Sequence, residues 1–347
     1  MKREMRALLK SQPTRGAEIA SVAIPEPGYG EVLVKIKATS ICGTDLHIYQ
    51  WDEWASSSMK LPRIFGHEFA GEISEIGDGV REAKPGEYVS AETHFVCGRC
   101  LQCRTGQAHV CRFTKILGID VDGVFAEYAV IPESNLIRCH RSIPPDIASV
   151  QEPFGNAVHS VFADDILGAT VAVFGCGPIG LFSVGLAATY GARSVIAIEP
   201  HDYRRELARK MGAVDTLNPE QVDVVDTILS LTADKGGVDV VLEMSGNEKA
   251  IAQAFRVLRP GGWISLLGIP HRKVELDLSR DVIFKGARVY GIVGRRMYES
   301  WHRTQGILSS GRLDITPIVT HTFPLDKFEE GFSLIEAGGC GKVVLTP

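Results

Sequence analysis

The hexapeptide Gly175-Cys176-Gly177-Pro178-Ile179-Gly180 constrains the fold more than any other stretch of this sequence. It follows the apolar run 171–174 and leads into a helix-like run ending near Tyr190, after which a second apolar run covers 194–198. Between a strand and a helix, three glycines at this spacing do different things. The first permits a tight turn, the second lets a pyrophosphate reach backbone N–H groups, and the third lets the helix pack on the strand. Further apolar runs at 238–242, 263–267 and 289–293 alternate with helical segments, which predicts a doubly wound parallel α/β sheet over 154–296. Glu199 ends the second run, nineteen residues after Gly180. A carboxylate there accepts hydrogen bonds from ribose hydroxyls and repels a 2′-phosphate, so NAD is expected over NADP. Arg204 and Arg205 argue the other way, because arginines just after that strand can hold a 2′-phosphate.

The region before residue 154 has a different texture. Val32, Val34 and Ile36 alternate with Leu33, Lys35 and Lys37, the period of a half-buried strand. Glycines at 66, 71, 77, 79 and 86 then divide the chain into short pieces, as in a compact β-rich domain over 1–153. Near the end, Leu325, Phe328, Phe332 and Ile335 share one helical face, closed by Gly338-Gly339 and a last strand over 342–345.

Charge narrows the partners. Lys plus Arg total 37 against 42 Asp plus Glu, which gives no electrostatic reason to expect nucleic acid or an anionic membrane. No apolar run of signal-peptide length follows the charged N-terminus, and no stretch reaches membrane-spanning length. The reading is a cytoplasmic protein acting on a small molecule. Its eight cysteines, in a reducing compartment, are better used on metal or chemistry than on disulfides. Cys97, Cys100, Cys103 and Cys111 form C-x2-C-x2-C-x7-C, four thiolates in one loop able to close around a tetrahedral zinc. The same opening begins the bacterial iron–sulfur run, but here the fourth cysteine comes after seven residues and lacks the following proline. Four cysteine ligands leave no open position, so this is a structural site.

Catalysis needs an open site, for which Cys42, His67 and Glu68 are the candidates. The run Gly66-His67-Glu68-x2-Gly71-x5-Gly77-x2-Val80 resembles the signature of zinc-containing medium-chain alcohol dehydrogenases. It precedes the four-cysteine loop and the glycine motif in that superfamily's order. The segment from Thr39 to Trp54, Glu92-Thr93-His94, the stretch Leu117 to Gly123, Gln151-Glu152-Pro153, Gly294-Arg295-Arg296 and Glu299-Ser300-Trp301 resemble the threonine 3-dehydrogenase family within it. That resemblance implies a GroES-like catalytic domain, completed by about 297–347, beside a Rossmann domain. It implies a catalytic zinc on Cys42, His67 and Glu68, with Glu152 a supporting or exchanging carboxylate, hence two zinc ions per chain. Thr44 and His47 would relay the proton, and His94 would lie beside the substrate. Ile179, Glu199, Arg204, Leu266, Leu267, Gly268, Gly291 and Ile292 would line the NAD site. A homotetramer is also implied. Many alcohol dehydrogenases carry a second cysteine on the catalytic zinc, whereas Glu152 stands at this junction as in polyol dehydrogenases. Ligand chemistry alone therefore leaves L-threonine, a polyol and 2,3-butanediol open as substrates.

Overall fold

A computed structural model describes residues 3–347. Six parallel strands make one sheet in the order Asp215–Leu217, Ser194–Ile198, Thr170–Phe174, Val238–Glu243, Leu258–Leu266 and Arg288–Gly291. Thr170–Phe174 is buried along its whole length, as expected of a parallel strand covered on both faces. Its residues divide between the two faces. Val171 and Val173 join a core with Leu181, Phe182 and Val184 of the helix Pro178–Thr189. Ala172 and Phe174 join another with Ile251, Ala254 and Phe255 of the helix Glu248–Val257. Each fully buried valine or leucine here contributes roughly 1.5–3 kcal/mol relative to exposure. One strand is longer than its apolar run suggests. The run at 263–267 is the end of Leu258–Leu266, because Leu258 pairs with Val238 across a register irregularity before regular pairing resumes at Trp263.

The second large sheet has seven strands, and it draws on both ends of the chain. Its order is Leu136–Arg138, Tyr88–Ala91, Glu68–Ile76, Glu31–Ser40, Lys342–Thr346 and Val319–Pro324, with Tyr128–Pro132 also paired to Glu31–Ser40. Val32, Val34 and Ile36 enter its core with Phe69 and Ile73, while Lys35 and Lys37 face solvent. Leu33 is buried as well. Leu325, Phe328 and Phe332 pack together against Val343 and Leu345 in a further core, although Leu325 lies in a separate 3-10 turn before the helix Phe328–Glu336. Register matters most at one end of this sheet. Ser40 lies opposite both Glu68 and Val344, so three strand termini meet just before Cys42.

The glycine turn has little tolerance. Gly175 has φ 85°, and a Cβ on Gly180 would lie 1.9 Å from the Gly175 carbonyl oxygen, whereas a Cβ on Gly177 would meet no protein atom within 4 Å. The first two conditions serve packing and the third leaves room for a ligand. Gly180→Ala is therefore expected to force the turn open, lowering stability by about 1–3 kcal/mol in denaturant unfolding and weakening NADH binding measured by fluorescence.

Candidate active site

Cys42 is the N-cap of the helix Gly43–Gln50, directly after the strand Glu31–Ser40. Glu68 opens the neighbouring strand Glu68–Ile76, and His67 immediately precedes it. Their ligand atoms and that of Cys42 all lie within 4.8 Å of one another. The helix itself orients the set. Asp45, three residues after Cys42, accepts the Cys42 N–H on Oδ2 at 2.9 Å, closing a capping box. Its Oδ1 stands 3.7 Å from His67 Nδ1, and both atoms are buried without a hydrogen-bond partner. A carboxylate facing one imidazole nitrogen leaves the other for a metal, the arrangement that supports metal-bound histidines. Glu68 is held from below. The buried Lys342 ammonium lies 2.7 Å from Oε1 and 2.5 Å from Oε2, Ser40 Oγ donates to Oε2, and Lys342 also donates to the Ile41 carbonyl at 2.8 Å. Burial works against the lysine's charge, but Glu68 and Cys42 outweigh it and hold its pKa above the ordinary value. One thiolate, one imidazole and one carboxylate suit zinc with a position left open.

Glu152 is not in that cluster. Its Oε1 is taken by the Nη1 of Arg295, a guanidinium 1% exposed. Arg295 Nε donates to Glu92 Oε2 at 3.0 Å, and its Nη2 reaches Glu92 Oε1 and, at 3.0 Å, Thr93 Oγ1. Trp301 Nε1 donates to Glu92 Oε2 at 2.7 Å and the His94 N–H to Oε1 at 2.9 Å. Burial alone would raise the Glu92 pKa, but the Arg295 charge and these donors outweigh it and hold it below the ordinary carboxylate range. The side chain of His94 sits beside this network, with Nδ1 3.5 Å from Glu92 Oε1 and lacking a hydrogen-bond partner. Burial, reinforced by the Arg295 charge, pushes its pKa down to about 4, so the imidazole is neutral at physiological pH.

The four-cysteine loop also fits a single metal ion. Its sulfurs are 3.5–3.8 Å apart where they contact one another, close to the ~3.8 Å expected for thiolates about 2.3 Å from one tetrahedral zinc. A polynuclear iron–sulfur cluster would hold them further apart. Backbone N–H groups of Cys97, Cys100 and Phe113 point at sulfurs from 3.3–3.4 Å, stabilising thiolate charge.

A cleft of about 570 Å³ beside the glycine turn is lined by Gly175, Gly177, Glu199, Arg204, Met244 and Lys249 among others. It opens at the carboxyl ends of the strands, where ligands of such sheets bind. Glu199 accepts the Cys176 N–H at 2.8 Å and the His201 N–H at 3.1 Å, tying the carboxylate to the glycine turn. The two arginines part company. Arg205 is buried and spends its guanidinium on the Glu199 and Pro200 carbonyls and on Asp202, which removes it as a phosphate ligand. Arg204 stays in the cleft, with Nε on the Cys340 carbonyl at 3.2 Å. Leu266 and Gly291 are register partners at the ends of their strands, and the Ile292 N–H donates to the Leu266 carbonyl at 2.9 Å. The Leu267 and Gly268 N–H groups donate to the Glu243 carbonyl at 3.0 and 3.2 Å. Ile179 lies in the first turn of the helix Pro178–Thr189. Thr44 and His47 share the helix of Cys42, and His47 Nδ1 lies 2.5 Å from Asp52 Oδ2.

Residues 28–141 match the alcohol dehydrogenase GroES-like domain and residues 178–309 the zinc-binding dehydrogenase domain. The chain belongs to the zinc-binding alcohol dehydrogenase family. Among members of this family it is 52% identical over 344 residues to an L-threonine 3-dehydrogenase of Caldanaerobacter subterraneus subsp. tengcongensis, covering 99% of each chain. It is 51% identical over 345 residues to that of Pyrococcus abyssi, again 99% of each. Solved structures it resembles include an alcohol dehydrogenase from Thermus sp. ATN1 (29% identity, TM-score 0.90, 99% of each chain) and 2R,3R-butanediol dehydrogenase from Bacillus subtilis (28%, 0.89, 99% of each). Against this family background, sequence reasoning names the residues that cluster but misses the groups that position them: Asp45, Asp52, Glu92, Lys342 and the role of Arg295. Asp45 alone had a local signal, as the third residue after a helix cap.

Replacing Arg295 by Met removes the common partner of two buried carboxylates. A loss of about 3–5 kcal/mol in denaturant unfolding is expected, well beyond what a surface arginine contributes.

Proposed function

We propose that this chain oxidises the C3 hydroxyl of L-threonine with NAD, giving 2-amino-3-oxobutanoate and NADH, with two zinc ions per chain, as a cytoplasmic homotetramer. The observation that carries the reading is the open Cys42–His67–Glu68 set in a chain about half identical, end to end, to L-threonine 3-dehydrogenases. Zinc, when bound there, supplies Lewis acidity that lowers the pKa of the alcohol, and NAD accepts the hydride. The chain's own groups do the rest. Asp45 and Lys342 orient His67 and Glu68, while Arg295 keeps Glu152 out of the ligand set. Thr44 and His47 carry the proton away. Glu199, fixed on the glycine turn, receives the adenosine ribose, with Ile179, Arg204, Leu266 to Gly268, Gly291 and Ile292 around the cofactor.

His94 helps to choose the substrate. Its neutral ring has an unsatisfied Nδ1 and is pinned beside Gly294, where an added Cβ would lie 2.8 Å from His94 Cε1. It can therefore offer a fixed hydrogen bond to a polar group that a simple alcohol lacks. The tetramer draws support from the outer edge of the six-stranded sheet: Arg288–Gly291 pairs on one side only, and Ile283, Phe284, Val289 and Val293 nearby are exposed, an edge that association would cover. Eight free cysteines suit a reducing compartment, and no helix among the described residues is long and apolar enough to cross a membrane.

Two experiments follow. In fresh protein, metal analysis should find two zinc ions per chain. Cys100→Ser should lower thermal stability by opening a closed site that contributes to folding, whereas Cys42→Ser should abolish turnover with the fold retained. A single metal, or iron with inorganic sulfide, contradicts this. In substrate comparisons, kcat/KM should be highest for L-threonine among threonine, sorbitol and 2,3-butanediol, and His94→Ala should erode that preference on the order of tenfold or more without loss of zinc. Preference for a polyol overturns the substrate, and an unchanged ratio removes His94 from the site.

A further inference from the structure

We propose that Asp52 is the positioning residue of the proton relay, fixing His47 with its proton on Nδ1 so that Nε2 is bare and ready to accept. This deepens the relay reading above and rests on it.

The backbone between the two residues is built for the contact. Trp51 closes the helix Gly43–Gln50 in the left-handed region, φ 57° and ψ 51°, with its N–H 2.9 Å from the His47 carbonyl and 3.2 Å from that of Ile48. A bulky side chain at positive φ is uncommon, and this one turns the chain so that Asp52 comes back beside the His47 ring. Asp52 is also the N-cap of the next helix, Glu53–Ser58, where Oδ1 accepts the Ala55 N–H at 2.9 Å. A cap needs only one oxygen. The other, Oδ2, faces His47 Nδ1 at 2.5 Å. The carboxylate is thus held from two sides, and although burial works the other way, the Ala55 N–H and His47 keep its pKa below the ordinary range.

An ionised carboxylate only accepts hydrogen bonds, so Nδ1 must donate, and the neutral ring then has its lone pair on Nε2. Trp54 flanks the ring at 6.1 Å between centroids, and His271, from the loop after the strand Leu258–Leu266, flanks it at 5.7 Å. His47 keeps 37% of its side chain exposed. The proton balance closes as follows. The substrate hydroxyl gives its proton to the Thr44 hydroxyl, which passes its own to His47 Nε2. NAD, when bound, would take up the C3 hydride, and the imidazolium, stabilised by Asp52, releases its proton to water. This is the use made of an aspartate behind a histidine in triad enzymes.

Asp52→Asn separates this role from helix capping. The amide oxygen still caps Ala55, but the amide nitrogen now faces Nδ1 and selects the opposite tautomer, with Nε2 protonated. The test pairs 15N NMR of histidine-labelled, zinc-loaded enzyme, the His47 signal being assigned through its loss in His47→Gln, with steady-state kinetics. The expected result is Nδ1–H in the natural protein and Nε2–H in Asp52→Asn. With it, kcat for threonine should fall on the order of tenfold or more, while KM for NAD and the thermal midpoint stay put. The same tautomer in both proteins, or an unchanged kcat in Asp52→Asn while His47→Gln is impaired, overturns the positioning role alone. Full kcat in His47→Gln overturns the relay on which it rests.

Discussion

A buried guanidinium balanced between two buried carboxylates is costly unless every donor and lone pair finds a partner. Arg295 meets that condition with Glu92 and Glu152, and the catalytic side of the molecule is arranged around it. Glu92 follows the strand Tyr88–Ala91, Glu152 lies in the first turn of the helix Gln151–Val161, and Trp301 enters from the helix Glu299–Ser309. Three segments distant in sequence are thereby fixed to one point. Two consequences follow from that point: Glu152 is paired to Arg295 and lies outside the Cys42, His67 and Glu68 cluster, and His94 is kept neutral.

The strand ends provide the rest. Glu31–Ser40, Glu68–Ile76 and Lys342–Thr346 meet at one end, so the Cys42, His67 and Glu68 cluster comes from the first part of the chain and its counter-charge from the last five residues of regular structure. Lys342 and Glu68 are both fully or nearly fully buried, which makes each a condition for the other. The cleft at the glycine turn uses the same geometry in the other sheet, where four of the parallel strands, Asp215–Leu217, Ser194–Ile198, Thr170–Phe174 and Val238–Glu243, end toward one opening lined by Glu199.

What could be read from the sequence was what is local. The glycine hexapeptide and the four-cysteine loop each carry their chemistry within a few residues, so spacing alone pointed to a dinucleotide and a tetrathiolate metal. Cys42, His67 and Glu68 became legible only through resemblance, because each is unremarked by itself. Arg295 lies 203 residues from Glu92 and Lys342 lies 274 from Glu68, and no periodicity reports such partners. Arg205 illustrates the same limit. Beside Arg204 it had the look of a phosphate ligand, but the direction of a side chain is decided by packing, and it turns inward to the Glu199 and Pro200 carbonyls.

The account depends on a division of labour among acidic groups, with Glu68 serving the metal and Glu152 serving Arg295. A crystal structure of the zinc- and NAD-loaded enzyme, with anomalous data collected at the zinc edge, tests that division directly. Two zinc peaks are predicted, one among Cys97, Cys100, Cys103 and Cys111 and one at Cys42, His67 and Glu68, with Glu152 still paired to Arg295. Glu152 bound to the metal with Arg295 left unpaired, or no peak at Cys42, would contradict it.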